Sequence, residues 1–166
     1  MTPGVPPSTL VIREKLASDE AWAREKLTER WGPGVASTSG FHDAAQLDSL
    51  VAELDGERVG LLTYRIEDGE CEAVTVDSYA SVGGVGTALL DAVTDLARSR
   101  GCRRAWVLTT NDNLPALRFY QRRGWDLVRL HHNAVNEWRR TVKPQIIERG
   151  LDGIPIAHAL ELELRL

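Results

Sequence analysis

The hydrophobic pattern changes from that of a strand to that of a helix along the stretch Glu70-Cys-Glu-Ala-Val-Thr-Val-Asp-Ser-Tyr-Ala-Ser-Val-Gly-Gly-Val-Gly-Thr87. Residues 70–76 predict a β-strand, and apolar residues at 85, 89, 92, 93 and 96 form a helical stripe. Residues 104–109 predict the next strand. A strand–helix–strand crossover makes a parallel pair. The sequence therefore predicts an α/β fold.

The residues before this stretch predict an antiparallel meander. Three β-rich runs between residues 49 and 76 are separated by Asp55-Gly56 and Asp68-Gly69. Asp-Gly is a strong hairpin signal because both residues tolerate a positive φ. Together with the parallel pair, the meander predicts a mixed and mostly antiparallel sheet.

The rest of the chain follows from alternation and helical repeats, except at two places. Residues 35–48 have no decisive pattern, and residues 133–159 form a long connection, a length that is often functional. The remaining predicted elements are strands at residues 10–13, 125–131 and 160–166 and helices at residues 18–31 and 113–123.

Composition limits the possible functions. The chain has 166 residues, so a single domain over residues 1–166 is expected, with residues 1–9 as a flexible tail. Its 20 Lys and Arg against 24 Asp and Glu give a net charge of −4, which argues against a broad nucleic-acid surface. No apolar run approaches the ~18 residues of a membrane span, and no cysteine or histidine spacing suits a metal. A cytoplasmic protein with no metal, nucleic-acid or membrane partner is expected.

A glycine-rich loop joins the first strand of the crossover to its helix. Glycines remove the Cβ atoms that would keep a ligand from the backbone, and the amides at a helix N-terminus attract anions. This loop is a candidate pyrophosphate site, or simply a turn between strand and helix. Its candidate binding residues are Ser81, Val82, Gly83, Gly84, Val85, Gly86 and Thr87.

A second informative stretch is Asn113-Leu-Pro-Ala-Leu-Arg-Phe-Tyr-Gln-Arg-Arg-Gly-Trp125. Asn113 can cap the predicted helix, with Pro115 in the first turn. Phe119 and Tyr120 are candidates for ligand contact, but taken alone they are better explained as core aromatics.

In this order and spacing, the two stretches resemble the GCN5-related N-acetyltransferase (GNAT) superfamily. Its phosphate-loop pattern is Arg/Gln-x-x-Gly-x-Gly/Ala, and Gly84 and Gly86 match it, whereas Ser81 stands where Arg or Gln is usual. That departure removes a charged side chain near the phosphates. Its second pattern is fully matched, by Asn113, Ala116, Phe119, Tyr120, Gly124 and Trp125.

The resemblance implies a GNAT-like sheet with helices on both faces and a central parallel pair splayed around acetyl-CoA, the acyl donor. It implies that backbone groups of Val74 and Val76 pair with the pantetheine arm, and that amides of residues 82–87 bind the pyrophosphate. It further implies that Asn113, together with Ala116 and Phe119, lies along the donor. Tyr120 matches the tyrosine that protonates the leaving thiolate.

A thioester reacts with a neutral amine, so a base must remove a proton from the acceptor. Glu70 and Glu72 share one face of the strand by alternation, and their repulsion is expected to raise the pKa of one of them. Glu72 is the first candidate and Glu70 the second, although both could be solvated surface acids. An ordered water, His131 or His132 is the remaining alternative. The amide of Val76 is the candidate oxyanion donor.

The acceptor is expected to be a small-molecule amine. Three acids near the cleft, Glu70, Glu72 and Asp77, favour a cationic one, and residues 133–159 could cover it. Direct transfer in a ternary complex is expected, because Cys71 points away from Glu72 by alternation. Two alternatives stay open: a catalytically silent acyl-CoA-binding module and a protein N-terminal or lysine acetyltransferase. The protein is expected to be a monomer or homodimer.

Overall fold

The computed structural model describes residues 8–166 as strands and helices around a seven-stranded sheet. The strands are β1 (Leu10–Glu14), β2 (Val35–Ser37), β3 (Gly40–His42), β4 (Asp48–Leu54), β5 (Glu57–Glu67), β6 (Glu70–Ser78), β7 (Arg104–Thr110), β8 (Asp126–His131) and β9 (Ala159–Arg165). The helices are α1 (Glu20–Trp31), α2 (Val85–Ser99), α3 (Leu114–Gln121) and α4 (Ala134–Thr141). Most of the expected tail at residues 1–9 lies outside the described residues.

The sheet has the order β1-β4-β5-β6-β7-β9-β8. Every neighbouring pair is antiparallel except β6 and β7, which are parallel. Asp55 and Asp68 both have a φ of 52°, and the glycine after each also has a positive φ. These are the turns that Asp-Gly favours, so the predicted meander is confirmed.

Helices cover both faces of the sheet. The α2 residues Leu89 and Val93 are fully buried in the same apolar cluster as Leu62 of β5. On the opposite face, Leu27 of α1 packs in a cluster with Leu61. Because Leu61 and Leu62 are consecutive in one strand, they point to opposite faces. The predicted α/β fold is therefore confirmed.

Two segments contain structure that the sequence pattern did not predict. Residues 35–48 include the short β2–β3 hairpin, in which Ser37 is opposite Gly40. Residues 133–159 are not one continuous loop, because they include α4 and a short 3₁₀ turn at Leu151–Gly153. In the described part of the chain, no helix is long and apolar enough to span a membrane.

Candidate active site

The centre of the candidate site is a gap between β6 and β7. Their parallel pairing covers three residue pairs and ends at Glu72 and Trp106. On the other edge of β6, Thr75 is opposite Thr63 but Ala73 is opposite Tyr64, so Val74 is an extra, bulged residue. Beyond Glu72, β6 therefore keeps its β5 partner and presents an unpaired edge to the gap. This edge includes Val74 and Val76, which the resemblance placed along the pantetheine arm.

A cavity of about 140 Å³ lies at this gap. It borders the bulge, the free end of β7, the start of α3 and the β2–β3 hairpin. Its lining residues are Trp31, Val35, Ala36, Ser37, Glu72, Val74, Leu108, Thr109, Thr110, Asn113, Trp138 and Ala159. The gap is thus wide enough to admit a small group between the two strands.

The glycine-rich loop is exposed and open above its backbone. Gly84 precedes the first residue of α2 and has a φ of 92°, in the left-handed region. A Cβ added at Gly83 or Gly84 would meet no atom within 4 Å. Val85, in contrast, has its side chain fully buried in the core, so only its backbone can face a ligand. The loop has the open amides that an anion requires.

Arg123 places a positive charge beside the first turn of α2. Its Nε donates to Oγ1 of Thr87, in the first turn of α2, at 2.9 Å. Its guanidinium lies 3.6 Å from the ring centre of Phe119. The ring of Phe119 in turn lies 3.4 Å from a Cβ added at Gly86. The sequence motifs missed Arg123, because only the fold brings the end of α3 to the loop.

Asn113 lies at the inner end of α3. Its Oδ1 accepts a hydrogen bond from the backbone of Ala116 at 3.2 Å, so it caps the helix as expected. The residue also lines the cavity, and the cap fixes the direction of its side chain. Ala116 itself packs against the main core. The cap and the cavity contact are therefore compatible roles of one asparagine.

Tyr120 is buried on the α2 side of the gap, packed edge-to-face with Phe119 and tilted against Trp125. Burial raises the pKa of its phenol above the usual value. Among residues 8–166 its hydroxyl has no hydrogen-bond partner. Tyr120 is a core aromatic that also has an uncommitted donor.

Glu72 is buried on the opposite face, with 2% of its surface exposed. Ser37 of β2 donates a hydrogen bond to Oε1, and Ser39 donates to Oε2 at 2.6 Å. Arg65 Nη1 lies 3.6 Å from the same Oε2. The β2–β3 hairpin thus holds this carboxylate at the gap.

Glu70 has surroundings different from those of Glu72. Arg103 and Arg104 hold its two oxygens at 2.5 and 2.9 Å. Hydrogen bonding to Arg104 lowers its pKa, so the expected increase by repulsion from Glu72 is wrong for Glu70. The register opposes Glu70 to Arg104 across the parallel pair, which alternation along one strand could not indicate.

The two histidines and the cysteine that the sequence analysis considered near Glu72 have other contacts. His131 pairs with Glu161 at 2.7 Å, and His132 stacks on His158 at the surface, so neither lines the cavity beside Glu72. Cys71 is buried under α2, and burial raises the pKa of its thiol to about 12. That thiol is a poor nucleophile.

A larger cavity of about 480 Å³ lies next to the first, between the end of α1 and the α4 segment. The two cavities share Trp31, Val35, Ala36, Thr110 and Trp138. The described side chains that line it are mostly apolar or aromatic and include no acid; its cations are Arg30 and Lys143. No group of three or more potential metal ligands occurs within the described residues.

Asp77 does not face this cavity. It is 3% exposed, accepts a hydrogen bond from the indole of Trp31 at 2.7 Å and lies 3.3 Å from Arg30. Burial raises its pKa. Of the three acids that favoured a cationic acceptor, Glu72 is the one that lines the cavity at the gap.

Comparison with known proteins agrees with this arrangement. Residues 14–125, more than half of the chain, match the model of the acetyltransferase (GNAT) family. The chain belongs to the GNAT family. It is 39% identical over 140 residues to the uncharacterized protein YdhI of Bacillus subtilis, covering 81% of this chain and 87% of YdhI. It is 40% identical over 136 residues to the uncharacterized protein YxbD of the same strain, covering 81% and 85%.

Solved GNAT structures share the fold. A GNAT acetyltransferase from Elizabethkingia anophelis with acetyl-CoA bound superposes with a TM-score of 0.68, covering 95% of this chain and 98% of that one. The sequences are 18% identical, so this likeness concerns the fold.

Proposed function

We propose that this chain is an N-acetyltransferase, which transfers the acetyl group of acetyl-CoA to a primary amine of a small molecule by direct attack. One observation carries the proposal. A buried carboxylate, Glu72, lines the gap between β6 and β7 on one face of the sheet, and an uncommitted phenol, Tyr120, is buried in the core on the other face. A thioester reaching through the gap would meet a donor for its sulfur and a base for the attacking amine.

The exposed amides of residues 82–87, with Arg123, suit the pyrophosphate of acetyl-CoA. The free edge of β6 at Val74 and Val76 suits the amides of its pantetheine arm, in the manner of an added strand. Asn113 borders the same gap. The loop, the edge of β6 and the gap thus follow one another in the order of the pyrophosphate, the pantetheine arm and the thioester along acetyl-CoA.

In the proposed reaction the amine nitrogen bonds to the thioester carbon and the carbon–sulfur bond breaks. Glu72 accepts one proton from the nitrogen, and the amide of Val76 stabilises the oxyanion. The raised pKa of Tyr120 lies above the ~8.5 of an ordinary thiol, so Tyr120 stabilises the departing thiolate by donating a hydrogen bond. Cys71, buried under α2, takes no part.

The larger cavity supports a specific kind of acceptor. Its lining is apolar and aromatic with cations at Arg30 and Lys143, which disfavours a polyamine or another multiply cationic amine. Its volume of about 480 Å³ is that of a small-molecule site. We therefore favour an amine with an aromatic or aliphatic body that carries no further positive charge.

An assay of CoA release against a panel of amines tests the proposal. Tryptamine and phenylethylamine represent apolar acceptors, spermidine a cationic one, and a short peptide a protein N-terminus. We expect turnover with the apolar amines and an acetylated product by mass spectrometry. Preference for the peptide would favour the protein acetyltransferase alternative. Tight acetyl-CoA binding without turnover on any amine would favour a silent binding module.

The proposal includes a reducing, cytoplasmic setting and a monomer or homodimer. Cys71 and Cys102 are both buried free thiols, which suits such a compartment. Light scattering of the purified chain measures its oligomeric state directly.

A further inference from the structure

The β2–β3 hairpin connects Glu72 to a histidine. Ser37 is opposite Gly40, so Thr38 and Ser39 form the turn. Ser39 donates to Oε2 of Glu72 at 2.6 Å, and the same Oγ lies 2.8 Å from Nε2 of His42 in β3. Both distances are those of good hydrogen bonds. One hydroxyl thus joins a buried carboxylate to a half-buried imidazole.

Glu72 also separates two spaces. On one side is the 140 Å³ cavity beside Val74 and Asn113. On the other is a polar cavity of about 270 Å³, which Ser39 and Arg65 also line. An amine beside Val74 would therefore approach Glu72 from one side, while Ser39 and His42 lead away from it on the other.

The proposed reaction needs such an exit. An alkylamine is mostly an ammonium ion at neutral pH. An ammonium ion and a thioester give an amide, a thiol and one surplus proton, so each turnover must release a proton to water. Glu72 is only 2% exposed, so side chains that are hydrogen-bonded to it offer the proton a route toward solvent.

We propose that Ser39 and His42 carry this proton from Glu72 to solvent, an inference that rests on Glu72 being the base of the proposed reaction. Protonated Glu72 donates its proton to Ser39 Oγ, and Ser39 passes its own hydroxyl proton to Nε2 of His42. The resulting imidazolium releases a proton to water, which leaves Glu72 ionised. Imidazole suits this role because it exchanges protons in the neutral pH range.

The other groups around Glu72 and His42 have different roles. Among the residues that the structure describes, the hydroxyl of Ser37 bonds only to Glu72 and to the amide of Ser39, so it positions the carboxylate and offers the proton no further step. Arg65, which also pairs with Glu67, lies 3.6 Å from Oε2 of Glu72 and forms no hydrogen bond with His42. Within residues 8–166, no carboxylate lies within ion-pair distance of His42.

The test compares His42→Ala with His132→Ala, a surface histidine stacked on His158. In His42→Ala we expect kcat near neutral pH to fall about tenfold and its solvent deuterium isotope effect to rise, because proton departure becomes slow. The KM for acetyl-CoA should not change. Added imidazole should restore kcat in proportion to its concentration. His132→Ala should show none of these effects.

A pair of serine variants adds a second measurement. Ser39→Ala removes the hydroxyl and should lower kcat like His42→Ala, whereas Ser39→Thr keeps it and should retain most of the rate. Thermal unfolding of each variant checks that the hairpin is intact. A loss in His42→Ala that is equal at every pH and insensitive to imidazole would overturn the relay. Failure of the relay can be distinguished from failure of the proposed function, because in the second case the wild-type protein would acetylate no amine at all.

Discussion

On the side of the gap proposed for the acyl donor the chain presents mostly backbone, and on the side proposed for the acceptor it presents side chains. The loop at residues 81–87 offers amides in open space, and Val85 buries its side chain. The β2–β3 hairpin instead holds Glu72 with the hydroxyls of Ser37 and Ser39. A site made of backbone tolerates most substitutions that keep its conformation. A site made of side chains can be lost by changing one atom.

The largest effect is expected on the acceptor side, for Glu72→Gln. This change keeps the shape but removes the base, so kcat/KM for the amine should fall about 10³-fold at pH 7. The loss should shrink toward pH 9, because more amine is already neutral in solution. Rates measured across pH check this, with Glu57→Gln at the exposed start of β5 as the matched control. An unchanged profile would place the base elsewhere.

Tyr120→Phe should have the next largest effect. The ring still packs against Trp125, but the donor to the departing sulfur is lost, so kcat should fall about 10²-fold. The Kd for acetyl-CoA should stay nearly the same. Tyr64→Phe, which removes another buried phenol from the same core, is the control. Equal turnover in the two variants would leave Tyr120 as a core aromatic without a role in transfer.

Gly84→Asp tests the backbone side. The added carboxylate would face the phosphates, and we expect the Kd for acetyl-CoA to rise about tenfold or more. Gly84→Asn imposes a similar left-handed strain at a φ of 92° without the charge. Calorimetry on both variants separates charge from strain. If Asp and Asn weaken binding equally, the anion site is not at this loop.

Arg123→Ala should have a smaller effect, because the loop amides remain. We expect the KM for acetyl-CoA to rise about fivefold, with the difference from wild type shrinking at high salt. Arg122→Ala removes a neighbouring exposed charge and serves as control. If Arg122→Ala raises the KM as much as Arg123→Ala does, the effect is general charge and the contact with Thr87 has no special part.

The smallest effect is expected for Cys71→Ala. Its thiol is buried and its pKa is raised to about 12, so kcat should remain within about twofold of wild type. Mass spectrometry of the wild-type chain quenched during turnover should find no acetyl group on Cys71. An acetyl-cysteine at that position would replace direct attack by a two-step transfer.

The features that could be predicted from the sequence are those that residues close together in the chain determine. The Asp-Gly turns and the cap of Asn113 depend on contacts within a few positions, and the crossover at residues 70–109 follows from the strand and helix repeats of its own segments. The hairpin could not be predicted, because β2 and β3 have three residues each, too few to establish an alternating pattern. Its bonds to Glu72 join residues 33 and 35 positions apart.

The pair Glu70 and Glu72 shows the same limit within one strand. Alternation correctly placed both carboxylates on one face of β6. Their different surroundings come from the neighbouring strand and the hairpin, since Arg103 and Arg104 hold Glu70 while serines hold Glu72. Choosing between two acids on one face therefore required the register of the sheet.

An enzyme that acetylates amines must also spare its own. Lys143 lines the larger cavity, and burial lowers its pKa, so more of this amine is neutral than in a surface lysine. Its Nζ donates to the backbone carbonyl of Trp31, 112 positions away, at 2.6 Å. Lys143 does not line the smaller cavity beside Glu72 and Val74. Under the proposed function, the hydrogen bond between Lys143 and Trp31 would hold this amine of the protein away from the thioester and so protect the enzyme from acetylating itself.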